Sequence, residues 1–413
     1  MNSYQIDEKL EPILNQMHEA GIKIDVDYLN NLSDKIGMKL LKLESEIYTL
    51  VGRELNLNSP SQLAKVLYEE LKIKPGESGI KRKKTHHSTS AESLAKIETQ
   101  HPSIKKILEY RELAKLKNTY LDPLPKLVDK NSRLHTTYMV DTSTGRLSSK
   151  NPNLQNIPIR TEIGKEMRKA FVAEKGYKLL AADYSQIELR IAAHFSQDET
   201  MLKAFKEGKD IHHATAEELG IDRRTAKTVN FGILYGISSY GLAESLKIPQ
   251  EDAQTLIDKY FVSFPKLAKY IQQTIAKAED TGYVETLYGR KRMIPELHSP
   301  IERIRKFGER IAINTPFQGT AAEIIKLAMI EVANRLSHIA NRKEKNDKPY
   351  AISHMPAALL LQIHDELVLE VPEEDVKDVT EIVRETMQNA VKLSVPIIVD
   401  LEVGKNWGEM EKI

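Results

Sequence analysis

The sequence contains no cysteine, which removes disulfides, thiolate-bound zinc and cysteine nucleophiles from consideration. Charge of one sign is not in excess either: 60 Lys and Arg stand against 59 Asp and Glu, for a net charge of +1. There is thus no global basic footprint, and any nucleic-acid surface must come from clustering of charge. No apolar run approaches the ~18 residues that span a bilayer. The first residues, MNSYQIDEKLEPIL, carry acidic side chains and lack the apolar segment of a signal peptide. These absences lead us to expect a soluble intracellular protein of the cytoplasm, without a membrane partner. There is no internal repeat and no long low-complexity segment. The chain of 413 residues is long enough for two or three domains or subdomains.

What is present is concentrated in RRTAKTVNFGILYG, residues 223–236. Arg223, Lys227, Phe231 and Tyr235 recur at every fourth position, which lines them along one stripe of a helix about 18 Å long. Two cations suit phosphate oxygens and two rings suit flat bases, as a nucleoside triphosphate requires. Gly232 and Gly236 cost helix stability, which hints at something approaching the backbone closely. An amphipathic helix with solvated cations and core aromatics gives the same stripe, so on its own it leaves both readings open.

Along the chain, residues 1–130 read as mostly helical, with apolar spacing of three and four in LEPILNQMHEAGI, DYLNNLSDKIGMKLLKLESEIYTLV and SIKKILEYRELAKLKNTYL. A polar connector between the last two holds Lys81, Arg82, Lys83 and Lys84 in a row, either a solvated loop or a phosphate-contacting tip. From about residue 131 the texture turns to β-rich pieces, RLHTTYMV and GYKLLAADYSQIEL. Helices resume over 196–285, broken at GISSYGL, IPQED and Phe264-Pro265. A long helix is expected over 301–339, interrupted near Pro316. A charged stretch at 341–356 reads as a surface loop. Two apolar runs, LLLQIHD and ELVLEV, then meet at His364, Asp365 and Glu366, before a closing amphipathic helix and the strand PIIVDLEV. Helix-rich ends around an interrupted sheet indicate an α+β architecture.

Asp183 ends the apolar run KLLAAD, and Asp365 sits at the tip of the last β pair. A carboxylate at the end of a buried strand is costly unless compensated. Each aspartate alone could simply cap a turn. Two on adjacent strands would instead call for a cation between them, and a hard divalent ion such as Mg²⁺ fits.

DYSQIELR (183–190), RRTAKTVNFGILYG (223–236) and LLQIHDELVLE (360–370) resemble, in order and spacing, the three polymerase motifs of family A DNA polymerases. STGRLSSKNPNLQNIPIR, DIHHATAEE, GYVETLYGRKR and INTPFQGTAAEIIK agree with the same family, and the resemblance runs from about residue 5 to the C-terminus. It implies a right-hand fold. A segment of residues 1–25 would lead into the thumb (26–130), followed by palm (131–200), fingers (201–287) and palm again (288–413). The implied activity is template-directed nucleotidyl transfer: a monomer adds deoxynucleoside triphosphates to a primer on template DNA. Asp183, Asp365 and the Tyr184 backbone carbonyl would hold two Mg²⁺ ions, replaceable by Mn²⁺, with Glu366 close by. His212, Arg223 and Lys227 would hold the triphosphate, Lys227 also as proton donor to pyrophosphate. Phe231 would stack on the nucleotide and Tyr235 would guard the template base. Gln186 would join the nucleotide site, and Glu188 would fill the space a 2′-hydroxyl needs. Arg146, Asn153, Gln155, Arg310, Asn314, Gln318 and His364 resemble the family's DNA contacts, and Lys81–Lys84 would add sequence-blind phosphate binding.

The chain departs from the pattern in three places. Only about 25 residues precede the first thumb-like helix, so neither proofreading nor 5′ nuclease activity is expected. Ten residues separate His212 from Arg223, which shortens the fingers near their tip. The stretch at 341–356 is longer than the usual link. A single-subunit RNA polymerase would share the carboxylates and the stripe, but Glu188 and Phe231 argue against admission of a 2′-hydroxyl. A non-catalytic relative would be expected to have lost Asp183, Asp365 or Lys227.

Overall fold

The computed structural model describes residues 1–75, 87–140, 142–159, 161–344 and 357–413, the side chains of 338–344 excepted. These fall into two compact units: Met1–Ile22, His135–Ile159 and Val172–Ile413 in one, Lys23–Leu134 and Arg160–Phe171 in the other. The architecture is α+β. Among the described residues no helix is long and apolar enough to cross a membrane.

The larger unit is organised by a five-stranded antiparallel sheet. Its order is Glu411–Lys412, Val399–Gly404, Tyr177–Tyr184, Glu366–Pro372 and Ala358–Ile363. Tyr177–Tyr184 is central because YKLLAADY presents apolar side chains on both faces: Leu179, Leu180, Ala181 and Ala182 are all buried. The helix Val376–Asn389 packs against this strand and its two neighbours through Val379, Val383 and Met387. The helix Ser3–Ala20 lies against Ala358–Ile363. It starts at a capping box in which Asn2 and Gln5 satisfy each other's backbone N–H groups, and buries Ile6, Leu10, Ile13, Leu14 and Met17 at helical spacing.

The expected break at Pro316 does not occur. One helix runs from Glu302 to Glu344, 43 residues, with Pro316 inside it. Proline removes one helical N–H and ordinarily costs ~3 kcal/mol. Here Thr315 Oγ1 donates to the Ile311 carbonyl at 2.7 Å, and Phe317, Ala321, Ile324 and Ala328 are buried beside the site, so burial on this face outweighs the lost bond. A second correction falls at SQIEL, expected among the β-rich pieces. The strand ends at Tyr184 and a helix begins at Ile187, with Gln186 in the left-handed region at φ 55°. The breaks at 235–238, 247–249 and Phe264 stand where the sequence puts them.

The smaller unit is helical. Val26–Val51 packs on Pro102–Leu116, and Ile47, Val51, Leu63, Leu67, Leu94 and Ile104 form part of one apolar cluster. Lys117 Nζ bonds Asp122 Oδ1 at 2.8 Å and also bonds the Ser33 hydroxyl, which ties the start of this unit to its later helices. The basic run Lys81, Arg82, Lys83 and Lys84 lies outside the described residues, as does most of 341–356.

Candidate active site

Sheet register brings the carboxylates together. Asp183 on the central strand stands opposite Glu366 on one neighbour and Asp400 on the other. Directly opposed residues of an antiparallel pair share a face, and like charges there repel. Burial pushes the Asp183 carboxyl up to about 7, with Glu366, Asp365, Asp400 and Glu402 adding to the shift. Asp365 occupies the turn after His364, whose φ of 54° bends the chain there, and its carbonyl accepts the Tyr184 N–H at 3.1 Å. Burial also raises Asp365, while the Arg146 guanidinium opposes the rise. The Tyr184 hydroxyl donates to the Met387 carbonyl at 2.8 Å, and Glu366 accepts from Trp407 Nε1 at 3.3 Å.

Crowded carboxylates are oxygen donors of the kind a hard divalent cation takes, although Lys412 stands 3.7 Å from Asp400 and Trp407 bonds Glu366. Among the described residues no three His, Asp or Glu side chains converge into a ready-made cage. Asp400, which the sequence alone does not single out, belongs to this row. Its signal is the acidic residue inside PIIVDLEV, but the facing partner depends on register.

Beside the carboxylates lies a polar cluster. Glu188, 3% exposed, accepts from Arg146 Nη2 at 2.7 Å and from the Tyr235 hydroxyl at 2.9 Å. Burial raises its carboxyl and Asp365 adds to the rise, against the pull of Arg146 and Tyr235. Arg146, Leu147, Gln155, Gln362, His364 and Asp365 line one cleft, together with Ala322 and Ile325. Gln155 Nε2 donates to the Gln362 side chain at 2.9 Å, Gln362 Nε2 donates to the His364 carbonyl, and Asn153 Oδ1 accepts from Ser149 at 2.9 Å. Sequence reading misses Gln362, although a glutamine inside the apolar run LLLQI is itself a signal.

The stripe helix spans Arg223–Leu234, with Tyr235 as its cap. The short link before it is closed by Gly220, in the left-handed region at φ 68°, and by Asp222, which accepts the Arg224 and Thr225 N–H groups. Arg223 Nε and Nη2 both reach Asp210 Oδ2, at 3.1 and 2.5 Å, and Asp210 also caps the helix Ile211–Leu219. Lys227 is exposed, and the rings of Phe231 and Tyr235 stack with centroids 6.2 Å apart. The close approach expected at Gly232 and Gly236 is made by the protein itself: a Cβ on Gly232 would lie 2.9 Å from Ile237 Cγ2, and one on Gly236 3.0 Å from Arg310 Cγ. His212 is buried. Its ring is 2% exposed, lies 5.5 Å from Phe231, and has Nδ1 3.1 Å from Asn230 Nδ2.

Arg310, Asn314 and Gln318 follow one another along the long helix at four-residue spacing. Arg310 is exposed and lies over Phe307, while Asn314 Nδ2 reaches Gln318 Oε1 at 3.4 Å. Asn314 Oδ1 is a buried acceptor without a partner. Further along the same helix is an ion network that sequence reading does not find. Asp7 accepts from Lys326 Nζ at 2.7 Å and Arg290 Nη2 at 2.6 Å, and Glu323 accepts from Thr286 at 2.9 Å. Arg290 also packs against Gly145, which precedes Arg146 and has φ 75°. The clue is a charged pair, Glu323 and Lys326, inside the apolar stretch AAEIIKLAM.

The profile of DNA polymerase family A matches residues 26–409. DNA polymerase I, thermostable, of Thermus filiformis is 46% identical over 419 residues, covering 99% of this chain and 48% of that protein. The thermostable DNA polymerase I of Thermus aquaticus is 44% identical over 414 residues, 98% of this chain and 48% of that protein. DNA polymerase I of Deinococcus radiodurans is 45% identical over 415 residues, 98% of this chain and 41% of that protein. Among solved structures, the POL domain of Pol1 from M. smegmatis, in complex with DNA primer-template and dNTP, superposes with a TM-score of 0.88 at 37% identity. That match covers 97% of this chain and 70% of that one. The chain therefore spans about half the length of the relatives it matches.

Proposed function

The chain belongs to DNA polymerase family A, and from this we propose that it extends a primer on template DNA with deoxynucleoside triphosphates, releasing pyrophosphate. The observation that carries the reading is the acidic row Asp400, Asp183 and Glu366 in the same compact unit as the Arg223–Lys227–Phe231–Tyr235 helix. A site with surplus negative charge on one element and displayed cations on another suits a polyanionic substrate bridged by cations. We assign the palm to 131–200 and 288–413 and the fingers to 201–287; of the palm residues, 131–134 and 160–171 fall in the smaller unit. The Val26–Val51 and Pro102–Leu116 helices would belong to the thumb.

In the reaction, the primer 3′-oxygen forms a bond to the α-phosphorus while the bond from that phosphorus to the β-phosphate oxygen breaks. Asp183, Asp365 and the Tyr184 carbonyl would hold two Mg²⁺ ions, or Mn²⁺, and the chemistry these supply when bound is neutralisation of phosphate charge and acidification of the primer hydroxyl. Arg223 exchanges Asp210 for triphosphate oxygens, a charge-assisted pair in either state. Lys227 carries a proton at Nζ for the leaving pyrophosphate. Phe231 stacks on the nucleotide, Tyr235 covers the template position, and Gln186 completes the pocket. Glu188, pinned by Arg146 and Tyr235, occupies the volume of a 2′-hydroxyl. Arg146, Asn153, Gln155, Arg310, Asn314, Gln318 and His364 contact the primer–template. Donors at the minor groove find acceptors at similar places in every base pair, so they test shape without reading sequence.

Primer extension with and without Mg²⁺ tests the reading. Asp183→Asn is expected to abolish incorporation while primer–template affinity stays within a few-fold, and retained turnover would sink the metal assignment. Preference for ribonucleotides over deoxynucleotides would instead favour an RNA polymerase.

A further inference from the structure

His212, Thr215, Asn230 and Tyr260 form a buried polar network. They are 2%, 0%, 0% and 0% exposed. Thr215 Oγ1 lies 2.8 Å from the Ile211 carbonyl and 3.2 Å from Asn230 Oδ1; its one hydrogen goes to the nearer carbonyl, so toward Asn230 it acts as acceptor, 3.0 Å from Nδ2. The Tyr260 hydroxyl donates to Asn230 Oδ1 at 3.0 Å. Its ring is seated 4.6 Å from Phe264, and burial raises its ionisation above the ordinary phenol range, so the hydroxyl keeps its proton. The amide of Asn230 is thereby oriented: Oδ1 toward Tyr260, and its two hydrogens toward Thr215 and toward His212 Nδ1 at 3.1 Å. Turning the amide over would place Nδ2 against the Tyr260 hydroxyl and take away the acceptor of that hydroxyl's hydrogen, and buried polar groups left unpaired are expensive. An N–H cannot donate to another N–H, so Nδ1 of His212 is bare.

We propose that Asn230, oriented by Tyr260, is a positioning residue that fixes the tautomer of His212 and leaves Nε2–H as an uncharged donor to the nucleotide's phosphates. The inference rests on the polymerase reading for its ligand and on the hydrogen-bond network for its tautomer. Among the described residues Nε2 makes no hydrogen bond, so it is the ring nitrogen left over for a phosphate. The charged groups that act on the ring are Asp210, which favours its protonation, and Lys227 and Arg223, which oppose it. Burial is the largest influence, and together they push the imidazole down to about 4, so it is neutral at physiological pH. A neutral donor beside two cations grips phosphate without adding a third charge to hold back the leaving pyrophosphate. The same amide joins three helices, Ile211–Leu219, Arg223–Leu234 and Gln250–Ser263, and so ties His212 to the helix that carries Arg223 and Lys227.

Nitrogen-15 NMR of the whole chain labelled at histidine reads the tautomer directly, with the His212 signals assigned by their loss in His212→Gln. We expect Nε2 protonated and Nδ1 bare at neutral pH. Asn230→Asp places an acceptor against Nδ1 and is expected to protonate it. Tyr260→Phe keeps the packing but frees the amide, and is expected to give mixed tautomers and raise the KM for nucleotide about three- to tenfold, with kcat within about twofold. In a His212→Gln background the Tyr260 change is expected to add nothing to KM. An Nδ1-protonated wild type, or a spectrum indifferent to both substitutions, overturns the tautomer assignment. Unchanged nucleotide affinity in His212→Gln overturns the phosphate-donor role. Absence of any extension by the wild type counts against the polymerase reading instead and leaves the NMR result standing.

Discussion

Asp183→Asn, which should end catalysis, should also make the metal-free protein more stable. The folded protein raises this carboxyl from 3.8 to about 7 through burial and four acidic neighbours. A group whose pKa is higher when folded binds a proton in the native state that the unfolded chain releases between roughly pH 4 and pH 7. Stability is therefore lost as pH rises through that window and stays lost above it. A shift of just over three units corresponds to a ceiling of about 4 kcal/mol at ~1.4 kcal/mol per unit. Solvent reaches the Asp183 side chain and screens much of this, which brings the expected penalty to about 1–2 kcal/mol. Asparagine has the same shape and no charge. In buffer containing a chelator at about pH 8, Asp183→Asn should gain that amount, and the gain should shrink toward zero as pH falls to about 4. Urea unfolding followed by far-ultraviolet circular dichroism gives the difference. Adding Mg²⁺ should then stabilise the wild type, by about 1.4 kcal/mol at ten times its dissociation constant, and leave the variant unmoved. A variant no more stable than wild type at the higher pH would refute the account of the acidic row.

Glu188→Ala removes the partner of Arg146 and Tyr235 along with the volume that excludes a 2′-hydroxyl. The ribo-to-deoxynucleotide incorporation ratio should rise at least about tenfold in single-turnover assays, and an unchanged ratio would count against the gate. Gly145→Ala puts a Cβ 2.8 Å from Arg290 Nε at a backbone φ of 75°. It should cost about 1–3 kcal/mol in urea unfolding, and full stability would show that the Arg290 contact yields freely. Phe231→Tyr should ease dideoxynucleotide incorporation, read as changed band intensities in a sequencing ladder. Identical ladders would speak against a nucleotide-facing ring.

The parts legible in sequence are those whose chemistry is written locally. The stripe needs only a four-residue period, the breaks at Phe264-Pro265 and around Ile248-Pro249 need only proline, and Asp183 and Asp365 announce themselves as charges ending apolar runs. Facing partners are hidden because they depend on distant pairing. Asp400 meets Asp183 only through strand register, and Asp7 lies 319 residues from Lys326 in sequence. Pro316 misleads because local propensity argues for a break where burial of the helix decides otherwise. The burial of His212 is hidden for a related reason: its partner Asn230 sits 18 residues away on the next helix, inside a motif whose other face carries the stripe.

Trp407 is the only tryptophan in the chain, so its fluorescence has one source. The indole is 3% exposed and bonds Glu366, the residue facing Asp183 across the sheet. Its emission is therefore an internal optical gauge of the acidic row, which requires no dye and no engineered label. A cation drawn to these carboxylates alters the field at the indole, and titrating Mg²⁺ against the intrinsic fluorescence would count its arrival before any nucleotide is present.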